Sequence, residues 1–263
     1  MKSRLIIWSL FLLSLAVKAQ DFTLIKTVNI TTPEAVSIDK LGKIYIADKQ
    51  GNVNRYLPDG SLDITFSSQK QGHIGLIEAW NPLKTFVFYD DLQEYAFLNR
   101  FLTASESFPL YDLSDFNSLA TISYDNNLWI IDMVDYSLKK YDLNYGQFTI
   151  TTNFDLLLNP DDYDITFIKE YQNLVFMSDY NSGIYIFDNL GNYLRQIPTR
   201  EVEYFNFQDN SIYYLSGDSL VSTDIYSLKS KNSALPSKAK FALSAESNLY
   251  LIDDEQIMIY KRP

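Results

Sequence analysis

His73 is the only histidine in this 263-residue chain, and cysteine is absent. The groups available for chemistry are therefore carboxylates, hydroxyls and one imidazole. An imidazole can serve as general acid or base. One His without Cys cannot build the multi-ligand sites that hold zinc or other transition metals. Its place after Gly72 fits an ordinary loop residue. Carboxylates are plentiful, with 33 Asp and Glu against 22 Lys and Arg. Asp161, Asp162 and Asp164 cluster after Pro160, Asp90 adjoins Asp91, and Asp253 adjoins Asp254. A calcium loop needs oxygen ligands at alternating positions and a glycine for its turn. Asp162 and Asp164 alternate, but Tyr163 and Ile165 do not continue that pattern, so a solvated loop is expected. Oxygen ligands are abundant enough that structural calcium stays open. Paired carboxylates also serve glycoside hydrolysis, where their separation across a sugar matters and adjacency in sequence does not.

Other catalytic signatures are missing. There is no Gly-x-Ser-x-Gly elbow, and His73 would be the sole His base for a triad. Gly occurs only 9 times and never as a phosphate-cradling loop. The Asp box Ser-x-Asp-x-Gly-x-Thr-Trp is also absent. No catalytic, cofactor or metal residue is assigned, and the chain is expected not to be an enzyme. Aromatics are the abundant resource: 20 Tyr, 17 Phe and 3 Trp. Most belong in a core, but Tyr and Trp in loops are favoured at protein interfaces. The candidates for partner contact are Trp80, Tyr111, Tyr145, Tyr163 and Tyr180.

These residues are carried on a repeat of roughly 40 residues, the period of propeller blades. Each unit holds a nearly continuous apolar strand, a polar turn and a following strand. The strand pairs fall at 44–48 with 53–56, 85–90 with 94–98, 128–132 with 138–141, 174–179 with 184–188, 212–215 with 219–222, and 249–253 with 257–260. Continuous apolar character suits strands covered on both faces. A shorter inner strand precedes each pair, at 34–38, 75–79, 119–123, 165–169, 202–207 and 240–244. The sixth unit ends without an outer strand, while residues 22–28 form a spare one at the chain start. Placing it beside 257–260 closes the ring and leaves no open edge. The expected fold is all-β: a six-bladed β-propeller with four-stranded blades, closed by the N-terminal strand. Repeats two and five depart from the template, which keeps seven or five blades as alternatives. The strand-ending Asp48, Asp132, Asp179 and Asp253 are read as turn residues.

Residues 1–19 have the form of a cleaved signal peptide, with Lys2 and Arg4 before an apolar run over 5–17 and cleavage before Gln20. Residues 20–263 then form one propeller domain, exported to the periplasm or beyond. No Cys is present for a lipoprotein anchor, and direct membrane insertion is not expected. Loss of Lys2, Arg4 and Lys18 takes the formal charge from −11 to −14. Nucleic acid is excluded as a partner by repulsion from the phosphate backbone.

Tyr45-Ile46-Ala47-Asp48, with Arg55-Tyr56 and Asp59-Gly60, resembles the blade pattern of NHL-like six-bladed propellers. A second block, residues 81–91 followed by 97–102, is similar to one in small exported propellers of Bacteroidota. That resemblance extends to the periplasmic plug subunit of the type IX secretion translocon. It implies docking at the periplasmic mouth of a large outer-membrane barrel, without cofactors. The expected function is thus a non-enzymatic periplasmic propeller that binds a protein partner. The alternatives are an Asp-dependent hydrolase or lyase acting on polysaccharide, and a propeller binding a small ligand in its channel.

Overall fold

The computed structural model describes residues 22–68, 72–114 and 116–262. The expected signal segment and cleavage site lie outside these residues. Among them, no helix is long and apolar enough to cross a membrane.

The described residues form twenty-four strands in six four-stranded antiparallel sheets. Five blades are consecutive meanders, at 33–66, 74–109, 117–153, 165–198 and 205–234. The sixth combines Phe241–Ala245, Asn248–Ile252 and Gln256–Lys261 with the N-terminal strand Thr23–Asn29 as its outer member. The expected six-bladed propeller closed by the N-terminal strand is therefore the observed fold, and the divergent repeats two and five each build a complete blade.

Burial explains the sequence pattern. The second strands Ile44–Asp48 and Leu128–Asp132 are buried at every position, because neighbouring blades cover both faces. The outer strand Gln147–Asn153 alternates between exposed and half-buried. Large side chains such as Trp129, Phe86, Phe176 and Phe205 fill the space between blades.

Two local devices recur. First, the inner strands of blades 1 to 4 each slip register near their start, leaving Glu34, Gly75, Ser118 and Thr166 out of step with the second strand. A bulge of this kind re-aims side chains, and here it sits at one mouth of the central channel. Second, a carboxylate or amide side chain caps many of the tight turns. Asp39 Oδ1 accepts from the amides of Leu41 and Lys43 at 2.8 and 2.9 Å. Asp188 does the same for Leu190 and Asn192, and Asp48 for Gln50 and Asn52. Asp132 and Asp253 repeat the arrangement. These are Asx turns, in which the side chain replaces a backbone acceptor. The turn-Asp reading holds for Asp48, Asp132 and Asp253, whereas the Asp179 side chain accepts from the Asp164 amide at 2.6 Å and from the Ser182 hydroxyl.

The closing strand is exposed along most of its length, with only Val28 half-buried. Its hold is mainly the ladder it forms with Gln256–Lys261. Phe22 adds an edge-on contact to Tyr260 at 6.5 Å. At Gly60, where φ is +78°, a Cβ would come within 2.7 Å of both Val28 and Ile259, so the blade 1 turn packs tightly against the closure. Each ladder hydrogen bond contributes about 1 kcal/mol net. Deleting residues 22–29 should therefore cost several kcal/mol and expose the edge at Gln256–Lys261 to aggregation. Thermal melting and light scattering check this; an unchanged Tm in a monomeric protein would show that the ring does not depend on this strand.

Candidate functional site

Antiparallel meanders sort the loops onto two faces. Turns joining inner to second strands and third to outer strands lie on one face, the lower. Turns joining second to third strands, and the crossovers between blades, lie on the upper face.

The channel between the inner strands is obstructed within the ring. Lys169 on the inner strand of blade 4 (Ile165–Tyr171) meets Glu78 on that of blade 2 (Ile74–Glu78) at 2.9 Å. Blade 3 lies between them in the ring, so the pair spans the channel. Both side chains are more than nine-tenths buried. Glu78 also accepts from the Trp80 amide at 2.8 Å. Towards the lower face, Trp80 lies edge-on to Tyr171 at 5.9 Å, and Tyr171 stacks on Phe207 at 4.3 Å. Above the ion pair the channel opens into a cavity of about 260 Å³, lined by the bulged residues Glu34, Gly75 and Thr166 and by Phe167, Tyr204 and Phe241. Burial, then the charge of Glu78, pushes the Tyr204 hydroxyl well above its ordinary pKa.

His73 stands at the rim of this mouth and is not an ordinary loop residue. Its Nδ1 lies 2.6 Å from Asp90 and its Nε2 3.5 Å from Glu34, while its amide donates to Asp91 at 2.8 Å. Glycines make room on either side. A Cβ at Gly72 would fall 2.6 Å from Leu92, and one at Gly75 would fall 2.9 Å from the Asp90 carboxylate. Burial alone would lower the His73 pKa, but the hydrogen bonds and charges of Asp90 and Glu34 outweigh it and raise the value. When protonated, the ring thus ties blade 1, through Glu34, to blade 2, through Asp90. Sequence reading missed this because Glu34 and Asp90 lie far from His73 along the chain. The run Gly72-His73-Ile74-Gly75 was the available signal.

The five aromatic candidates divide between the faces. Trp80 and Tyr145 lie on the lower face and are 43% and 79% exposed. Tyr111 is exposed on the upper face. Tyr163 and Tyr180, also upper, are half-buried, and Tyr163 packs on Tyr136 at 4.8 Å. The structure does not bring the five together. Asp161 and Asp162 are exposed on the upper face, with Asp162 bonded to Asn181.

The lower face instead gathers residues that sequence reading missed: Leu41, Leu83, Phe101, Tyr124, Leu190 and Tyr226 join Trp80 and Tyr145 as exposed large apolar side chains. On the upper face the corresponding set is Tyr111, Phe116, Val134 and Leu156. Their placement has one local cause. Seven of the eight lower-face side chains follow a capping Asp, Asn or Glu, and their own amides donate to that cap. The cap fixes the turn and leaves its tip residue pointing outward. Capped upper-face turns mostly carry polar tips, as at Gln50, Asp91 and Glu255, with Val134 the exception.

No described protein family matches this sequence, and no curated protein matches it. Solved structures do. Virginiamycin B lyase from Staphylococcus aureus superposes with a TM-score of 0.60 at 11% identity, over 89% of this chain and 82% of that one. A streptogramin B lyase gives 0.62 at 12% identity, over 92% and 87%. The extracellular domain of a putative one component system from B. thetaiotaomicron gives 0.56 at 12% identity, over 86% of this chain and 32% of that one. At such identities the likeness is one of fold. It nonetheless corrects the expectation that the chain is not an enzyme. These neighbours include lyases on the same architecture, one of them known in a catalytically inactive histidine-to-alanine form. The lack of a familiar nucleophile motif is therefore no ground for reading this propeller as non-catalytic.

Two measurements probe the site. Removing one partner of a buried ion pair typically costs about 3–5 kcal/mol, while replacing both with apolar groups costs far less. Lys169→Met should lower stability in that range, and the double variant Glu78→Leu with Lys169→Met should recover at least half of the loss in urea unfolding. A raised folded pKa at His73 means that its stabilisation is fully present below the unfolded imidazole value of about 6.5 and is lost as pH rises through the folded value. The Tm gap between the protein and His73→Gln should be widest near pH 5.5 and close at alkaline pH; a gap that widens with pH would contradict the imidazolium clamp.

Proposed function

We propose that this chain is an exported propeller that binds a protein of the bacterial envelope through its lower face. The carrying observation is the set of exposed apolar side chains held at capped turn tips on that face and thinned out on the other. Interface energy concentrates in a few aromatic anchors within a polar surround. Anchors already fixed in place lose little conformational freedom on binding, which raises affinity. Tyr145 fits that description, its amide held by Asp142; Tyr124, the one uncapped member of the set, is the most exposed of them at 88%.

The specific partner we propose is the periplasmic mouth of a large outer-membrane barrel, as in a type IX secretion translocon. Support comes from the block at 81–91 and 97–102, which resembles exported Bacteroidota propellers. Its two lower-face turns present Leu83, in the same turn as Trp80, and Phe101, in the turn to the outer strand. The strongly acidic chain suits a basic or neutral surface on the partner.

A photo-crosslinking residue at Tyr124, installed in cells, should capture one envelope protein, and the same residue at Tyr111 should not. Each true anchor contributes about 2 kcal/mol. The double variant Tyr124→Ala with Tyr145→Ala should therefore weaken the isolated complex by about a hundredfold or more without lowering Tm. Capture from Tyr111 alone, or unchanged affinity in the double variant, would overturn the assignment of this face.

A further inference from the structure

The cavity above the Glu78–Lys169 pair has its own chemistry, independent of the lower face. Two opposite charges line it without partners to match. Glu203 makes no ion pair or side-chain hydrogen bond among the described residues. Lys240 has no carboxylate partner among them; its Nζ contacts only the Pro33 carbonyl at 3.3 Å and lies 5.3 Å from the centre of the Phe241 ring. Three aromatic rings form one wall, with Phe167 4.7 Å and Phe241 5.5 Å from Tyr204. Tyr204 is 8% exposed, and its hydroxyl makes no hydrogen bond among the described residues. The Glu78–Lys169 pair lies beneath, so the cavity opens from the upper face only.

We propose that this cavity binds a small zwitterion, a free α-amino acid with an apolar side chain. Its ammonium group pairs with Glu203, with Glu34 at the same mouth. Its carboxylate pairs with Lys240. Its side chain lies on the Phe167–Tyr204–Phe241 wall, and the Tyr204 hydroxyl gains the partner it lacks. The size agrees: about 260 Å³ falls just below the ~300–1,000 Å³ of pockets for drug-sized ligands. It is too small for a polymer segment. A simple amine would leave Lys240 unmatched, and a simple carboxylate would leave Glu203 unmatched.

Titration calorimetry on residues 20–263 tests this with L-leucine and L-phenylalanine. Isoamylamine, which is leucine without its carboxylate, and 4-methylpentanoate, which lacks the ammonium, are the matched controls. At least one amino acid should bind, and each control should bind at least tenfold more weakly than leucine. Glu203→Gln should weaken the amino acid at least tenfold and leave 4-methylpentanoate unchanged. Lys240→Met should weaken the amino acid equally and leave isoamylamine unchanged. Both residues are exposed, so both variants should keep the parent Tm. No heat from either amino acid at millimolar concentration, or binding that both variants retain in full, would overturn the proposal. Loss of the lower-face complex in the crosslinking experiment would leave this test unaffected.

Discussion

Closure of the ring is the constraint from which the rest follows. A blade has a hydrophobic surface on both faces, and each surface is buried only by the next blade. Six blades in an open arc would leave two such surfaces and an unpaired strand in water. The ladder between Thr23–Asn29 and Gln256–Lys261 joins the first segment of the domain to the last. It does so with side chains that are almost all exposed, so hydrogen bonding and geometry carry the junction more than buried area does. With the ring closed, the inner strands converge, the bulged residues reach one channel mouth, and Glu78 can meet Lys169 across the axis.

The surplus of acid has a structural explanation. Asp39, Asp48, Asp132, Asp188, Asp224 and Asp253 each accept backbone amides in a turn. Asp132, Asp188 and Asp224 have lowered pKa values, to which these amide bonds contribute. The same residue type therefore sets the charge of the chain and the shape of its loops. It also displays four of the apolar tips of the lower face, Leu41, Tyr145, Leu190 and Tyr226, whose own amides Asp caps hold.

The fold was legible because second and third strands, covered on both faces, are written as continuous apolar runs. The inner strand of blade 5 was the exception. The sequence suggests 202–207, whereas the strand is Phe205–Gln208. Val202 and Tyr204 are buried in the preceding crossover, so apolar character there reflects packing at the channel mouth and not a ladder. The sites were less legible. Trp80 and Tyr111 look alike in sequence, and only the parity of the intervening hairpins separates their faces. Phe101, Tyr124 and Tyr226 sit in short polar turns, where composition points to loop and says nothing of display. The partners of His73 come from two different blades, a relation that no local pattern encodes.

The ion pair across the axis gives the disc a property that a ring of blades does not have by itself. Most propellers are drawn as washers, with a hole that solvent can thread. Here Glu78, Lys169 and the Trp80–Tyr171–Phe207 stack fill that hole with charge-matched and aromatic groups. Seated on an aperture, such a disc would leak only around its circumference and not along its axis.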